Sequence, residues 1–179
     1  IDPSELLAGV DFGYTNPCAV IHVIYDRDGH YWVTDEWYKR ERTEEQIGDY
    51  VKSCKFNGVY PDPESPSAIE VLNQKGVNVR EVIKGKDSIK SGINEVRSLL
   101  KQNRIHINRK CVNLIQELET YSYPEKQSDK NEPENPIKEN DHAMDALRYV
   151  IANHEHASMT PIEMWKMQQM AIGNRQTRG

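Results

Sequence analysis

The chain has 179 residues and a mass of 20.7 kDa, enough for one domain with a sizeable core and a tail but too little for a second complete catalytic domain. Its composition, 37% hydrophobic and 28% charged, is that of a soluble globular protein, and the longest apolar run, around Ala19 to Tyr25, is interrupted by His22, which excludes a membrane span. The net charge of -5 argues against uniform polyanion binding, yet Lys75 to Lys110 holds ten basic residues against three acidic ones, so a basic belt sits in an otherwise acidic chain.

The N-terminus, Ile1-Asp2-Pro3, lacks an initiator Met and a leader, and reads as an artificial edge or an inter-domain cut. Strand-like alternation follows. Leu6 to Asp11 is a short apolar run ending at Gly13, Cys18 to Tyr25 is rich in Val and Ile, and Tyr31 to Tyr38 carries two Trp and two Tyr. The intervening Tyr14-Thr15-Asn16-Pro17 and Asp26-Arg27-Asp28-Gly29 have the residues of tight turns, so a three-stranded antiparallel meander is expected. Thr43 with Gln46 forms a capping box, and Ile47, Tyr50, Val51 and Cys54 recur at helical spacing behind it. Val59-Tyr60 is a short strand that leads to Asp62 and is stopped by Pro63 and Pro66.

Further along, Ser67 to Lys75 reads as a helix closed by Gly76, Val77 to Ile83 as a buried strand, and Ser88 to Gln102 as a helix with Ile89, Ile93, Val96, Leu99 and Leu100 on its apolar face. Ile105 to Ile107 is a short strand and Cys111 to Thr120 a helix. Tyr121 to Asn140 alternates prolines and tyrosines with charges and is expected to be a loop or exposed hairpin. Asp141 to Asn153 returns to helix, and Thr160 to Met170 is a Met-rich amphipathic helix before a basic end. The expected division is a domain over 1–156 and a C-terminal helix and tail over 157–179. Three cysteines, Cys18, Cys54 and Cys111, are an odd number at wide spacing, which supports neither a disulfide framework nor a CxxC zinc site and implies a reducing, intracellular setting.

The element order is that of an α/β, RNase H-like mixed sheet, an antiparallel meander plus parallel strands with helices on both faces. Order alone does not define function. The acids carry more. Divalent magnesium or manganese takes oxygen ligands, and phosphodiester cleavage by two such ions ~4 Å apart needs carboxylates held at the ends of rigid elements. Asp11 ends an apolar strand before Gly13, with glycines that permit close approach of a substrate backbone; it is also a common turn residue. Asp62 follows the strand expected beside the first; a Pro-Asp-Pro turn is the alternative. Glu64 is either a further ligand or the cap of the next helix. Asp145 shares a helix flank with His142 and Asp141, near the positive end of the helix dipole; otherwise Asp141 caps that helix and the other two are its solvated flank.

Four blocks in order carry a resemblance: Gly9-Val10-Asp11-Phe12-Gly13, Asp62 to Glu70, Lys84-Gly85-Lys86-Asp87-Ser88-Ile89-Lys90-Ser91-Gly92-Ile93, and Asn140-Asp141-His142-Ala143-Met144-Asp145-Ala146-Leu147-Arg148-Tyr149. Together they resemble the nuclease domain of tailed-bacteriophage terminase large subunits, over Leu7 to about Val150, with Pro63 departing from the small residue usual after the second acid. The resemblance implies a metal triad of Asp11, Asp62 and Asp145, with His142 beside the metals as ligand or proton carrier and Asp141 as a further ligand. Lys84, Lys86 and Lys90 are the expected DNA contacts.

It also implies a magnesium- or manganese-dependent endodeoxyribonuclease with two divalent cations, which cuts concatemeric viral DNA with little sequence preference at the start and end of genome packaging. The implied partners are double-stranded DNA, an ATPase domain of the same polypeptide, the portal protein and the small terminase subunit. The implied place is the host cytoplasm at the procapsid portal, with no membrane. No Gly-x-x-x-x-Gly-Lys-[Ser/Thr] loop occurs in the chain, so the ATPase is expected elsewhere. The alternatives are another RNase H-like nuclease, of the junction resolvase or transposase type, and a non-catalytic docking module of a packaging motor. The nuclease readings require the three acids to gather at one rim of the sheet, whereas a docking module, with structural acids, need not bind the ion.

Overall fold

The computed structural model describes residues 3–83, 88–120 and 141–158. Strands β1 (Pro3–Asp11), β2 (Cys18–Asp26) and β3 (Tyr31–Lys39) form the expected antiparallel meander. Its second turn is closed by Gly29 at φ 83° and by the Asp26 carboxylate, which accepts the Asp28 and His30 N–H groups at 3.0 and 2.8 Å. Helix α1 (Glu44–Cys54) opens on the Thr43–Gln46 capping box, and its chain re-enters the sheet as β4 (Gly58–Pro61), parallel to β1. Helices α2 (Pro66–Gln74) and α3 (Ser88–Lys101) precede β5 (Ile105–Ile107), which runs parallel to β3. Helices α4 (Val112–Thr120) and α5 (His142–Ser158) follow. The five strands lie in the order β4-β1-β2-β3-β5.

Alternation along the strands sends side chains to two cores. Leu7, Ala19, Ile21, Val23 and Tyr31 face α3, α4 and α5 through Val96, Leu99, Leu114, Leu147, Val150 and Ile151. Ala8, Val10, Cys18 and Val20 face α1 and α2 through Ile47, Val51 and Leu72. The sheet is therefore covered on both faces.

Two local expectations are corrected. Val77 to Ile83 is not a buried strand: Val79 makes a single parallel bridge to Val59, and Val77 to Ile83 contains no buried residue. The Arg80 N–H donates to the Val59 carbonyl, but the Ile83 N–H donates to the Asn153 side chain at 2.8 Å, so the segment leaves the sheet edge to reach α5. Glu64 does not cap α2, which starts from Ser65 with Pro66 in its first turn, where the missing N–H costs nothing. The expected loop at Tyr121 to Asn140 and the expected tail helix at Thr160 to Met170 lie outside the described residues.

Candidate active site

Asp11 is the last residue of β1, and the Asp62 N–H donates to the Val10 carbonyl at 2.8 Å, directly after the Val10–Pro61 pair of the parallel β1–β4 ladder. The two acids thus leave the carboxyl ends of adjacent parallel strands. Asp62 is held in a turn, its Oδ1 accepting the Glu64 N–H at 2.9 Å and its Oδ2 the Ser65 hydroxyl at 3.3 Å.

Helix α5 brings the third acid. Gly9 and Asp11 lie on the same face of β1, and a Cβ at Gly9 would stand 1.8 Å from the Ala146 carbonyl oxygen, so α5 rests its backbone on that glycine. One helical turn before Ala146 is His142, and one strand repeat beyond Gly9 is Asp11; the two rises are nearly equal, so the side chains meet. His142 Nδ1 lies 2.8 Å from Asp11 Oδ2. The glycines around Asp11 therefore serve the chain itself rather than a substrate backbone: Gly9 admits α5, and a Cβ at Gly13 would meet the Asn16 and Pro17 carbonyls at 2.5 and 2.6 Å.

Burial raises the Asp11 carboxyl to about 6 against the lowering effect of the His142 bond, with the charges of Asp145 and then Asp62 raising it further. All three acids also raise the Tyr149 phenol, behind the larger effect of burial. The bond to Asp11 raises His142, aided by Asp11, Glu117 and Asp141. The expected site acids thus act on one another across three elements. Among the described residues, no three His, Cys, Asp or Glu side chains form a group that could hold one ion as arranged; Asp11 is hydrogen-bonded to His142 and Asp145 to Arg148. Asp141 contributes its carbonyl to the Asp145 N–H at 2.7 Å rather than a side-chain cap.

That cap comes from a residue the sequence reading passed over. Glu117, only 4% exposed, accepts the Met144 N–H at 2.9 Å and the Tyr38 hydroxyl at 2.8 Å, tying α4 and β3 to the start of α5. Burial pushes its carboxyl to about 7 against the lowering effect of those bonds. An acid three residues after Leu114, on the buried stripe of α4, was the signal for it. Arg148 was quoted only as part of a motif, yet its Nε and Nη2 stand 3.1 and 2.9 Å from Asp145 Oδ1.

Of the expected DNA contacts, Lys84 and Lys86 lie outside the described residues, while Lys90 is exposed on α3 together with Arg97 and Lys101. Part of the basic belt is engaged structurally: Lys75 pairs with Glu45 and Asp49, Lys110 with Asp35, and Arg104 donates to the Gly29 carbonyl.

A covered meander with parallel strands at its edges, and acids where β1 and β4 end, defines an RNase H-like domain. The chain belongs to the terminase RNase H-like domain family, whose model matches residues 11–153. It is 30% identical over 156 residues to the terminase large subunit of Escherichia phage T5, covering 82% of this chain and 35% of that one, so it spans about a third of that relative. The large terminase of a thermophilic bacteriophage, solved with ATP-γ-S, superposes with a TM-score of 0.72 at 29% identity, over 84% of this chain and 40% of the other. The large terminase nuclease domain of bacteriophage SPP1, solved with bound manganese, gives a TM-score of 0.66 at 26% identity, over 86% and 87% of the two chains.

Proposed function

We propose that the chain is the nuclease domain of a phage DNA-packaging terminase, a divalent-metal-dependent endonuclease that cuts concatemeric double-stranded DNA with little sequence preference when packaging starts and ends. The observation that carries this reading is the placement of Asp11 and Asp62 at the ends of adjacent parallel strands, with α5 bringing His142 to 2.8 Å from Asp11 and carrying Asp145 in its first turn; carboxylates are the hard oxygen donors that suit magnesium or manganese. The manganese in the SPP1 nuclease domain supports the same cofactor class. Asp11, Asp62 and Asp145 would hold the ions, with His142 and Asp141 at their margin. Bound divalent cations supply Lewis-acid stabilisation of the charge that builds on a phosphodiester during hydrolysis.

The chain's own groups prepare the site for that charge. His142 and Arg148 neutralise Asp11 and Asp145 internally, which limits the repulsion among three carboxylates. A cation held by Asp11 would compete with the His142 ring for Oδ2. The exposed α3 ridge of Lys90, Arg97 and Lys101, with Lys84 and Lys86, would hold the phosphate backbone, and phosphate contacts carry no sequence information. In the whole protein an ATPase domain, the portal and the small terminase subunit would be its partners, in the host cytoplasm. Among the described residues no helix is long and apolar enough to cross a membrane.

The test is manganese-dependent cleavage of linear, supercoiled and four-way-junction DNA by the wild-type chain and by Asp11→Ala. Linear and supercoiled duplex should both be cut and the variant should be inactive with an unchanged circular dichroism spectrum. Full cutting by Asp11→Ala, or cleavage confined to junctions, would overturn the reading.

A further inference from the structure

We infer that Arg148 is the positioning residue of the acid site: it fixes the direction of the Asp145 carboxylate, and Gly92 of α3 is the space that allows it to do so. The inference rests on the nuclease reading for its consequence, though its geometry stands on its own.

Arg148 is 7% exposed, so its guanidinium is withdrawn from water and needs a partner charge. Nε and Nη2 both fall on a single carboxylate oxygen, Asp145 Oδ1, at 3.1 and 2.9 Å. Two donors from one rigid plane hold the position of Oδ1, and with Cγ tethered to the α5 backbone that sets the direction in which the carboxylate points, a two-donor grip that a single lysine ammonium does not reproduce. The arginine is itself immobilised. Its guanidinium carbon lies 4.7 Å from the centre of the Tyr149 ring. Its stem lies against α3 at Gly92, where a Cβ would come within 2.8 Å of Cγ and 3.0 Å of Cδ. A long side chain has many rotamers to lose; here packing removes them before any ion arrives, so Asp145 is presented in one orientation.

A counter-ion and a positioning residue differ in sign. If Arg148 only neutralised Asp145, removing it would tighten cation binding; if it orients Asp145, removing it loosens cation binding despite the added negative charge.

The experiment compares Arg148→Ala, Arg148→Lys and Gly92→Ala with the wild-type chain. Metal-free crystal structures should show the Asp145 carboxylate turned from its wild-type direction in all three. Calorimetric titration with manganese should show affinity reduced ~10-fold or more in Arg148→Ala, the scale seen when groups that orient metal ligands are lost. Lysine should not restore it. Turnover should fall with KM for DNA unchanged. Gly92→Ala keeps every polar group and still displaces the arginine stem, so it decides the matter if Arg148→Ala does not fold. An unmoved Asp145 carboxylate, or tighter manganese binding in Arg148→Ala, would overturn the inference. Absence of manganese binding by the wild-type chain would sink the nuclease reading instead, while the metal-free structures still judge Arg148.

Discussion

Asp11 gives the site a measurable pH signature. Its carboxyl is raised from 3.8 to about 6, first by burial, and that of Glu117 from 4.5 to about 7 for the same reason. Between the unfolded and folded values the native state holds protons that the unfolded chain has released, so stability falls as pH rises through that window. His142, raised by its bond to Asp11, acts in the same direction: its contribution is complete at low pH and is lost as pH climbs past its folded value. The metal-free domain should therefore lose stability between about pH 4 and 7, by roughly 1–3 kcal/mol per raised carboxyl. Asp11→Asn should flatten the Asp11 part of that slope in a series of melting curves; an unchanged slope would show that Asp11 does not titrate there. Glu117→Ala should strip the cap from α5, leaving donors at Met144 and Tyr38 without their acceptor at ~1–3 kcal/mol each. Faster amide hydrogen exchange at Met144 is the local readout, and protection equal to wild type would remove Glu117 from this role. The strand-end positions of Asp11 and Asp62 were legible because each follows an apolar run that a turn stops, although a turn residue accounts for either acid taken alone. Glu117 and Arg148 were not, since each acts through a partner on an element distant in sequence, and composition does not reveal which element that is.

At the scale of elements, the meander, the capping box of α1 and the crossover to β4 follow from alternation, turn residues and caps, all of which act locally and so are readable along the chain. Val77 to Ile83 was misread because its alternating valines look the same whether they pair along a whole strand or at one bridge; the choice is made by Asn153, seventy residues away. Gly9 was misread for a related reason: a glycine announces close approach but not the identity of what approaches. Since Ala146 sits against it, Gly9→Ala should be among the most disruptive small substitutions in the chain. The added methyl would force α5 off β1 and pull His142 from Asp11, a clash that costs ~3 kcal/mol or more if the helix cannot shift. Chemical denaturation measures the loss. Should the variant match the wild type in midpoint and in Asp11 titration, the β1–α5 contact does not set the site.

Taken whole, the molecule carries an excess of acid, and among the described residues some of its basic groups pair within the chain while others are exposed on α3. Lys75, Lys110 and Arg104 bind other parts of the chain, which is why a count over the belt overstated its reach. The outward set on α3, Lys90, Arg97 and Lys101, recurs at helical spacing and forms one ridge. If that ridge holds phosphates, each contact releases about one counter-ion, and the logarithm of the affinity for duplex DNA falls with the logarithm of the salt concentration by about 0.9 per contact. Replacing all three with Gln should therefore weaken binding in catalytically silent calcium buffer and reduce the salt slope by about 2–3 if each side chain contacts phosphate. The loss should be the same on unrelated sequences, because phosphates are alike along any duplex. An unchanged slope would move the DNA path away from α3, and a loss confined to particular sequences would mean that this helix reads bases.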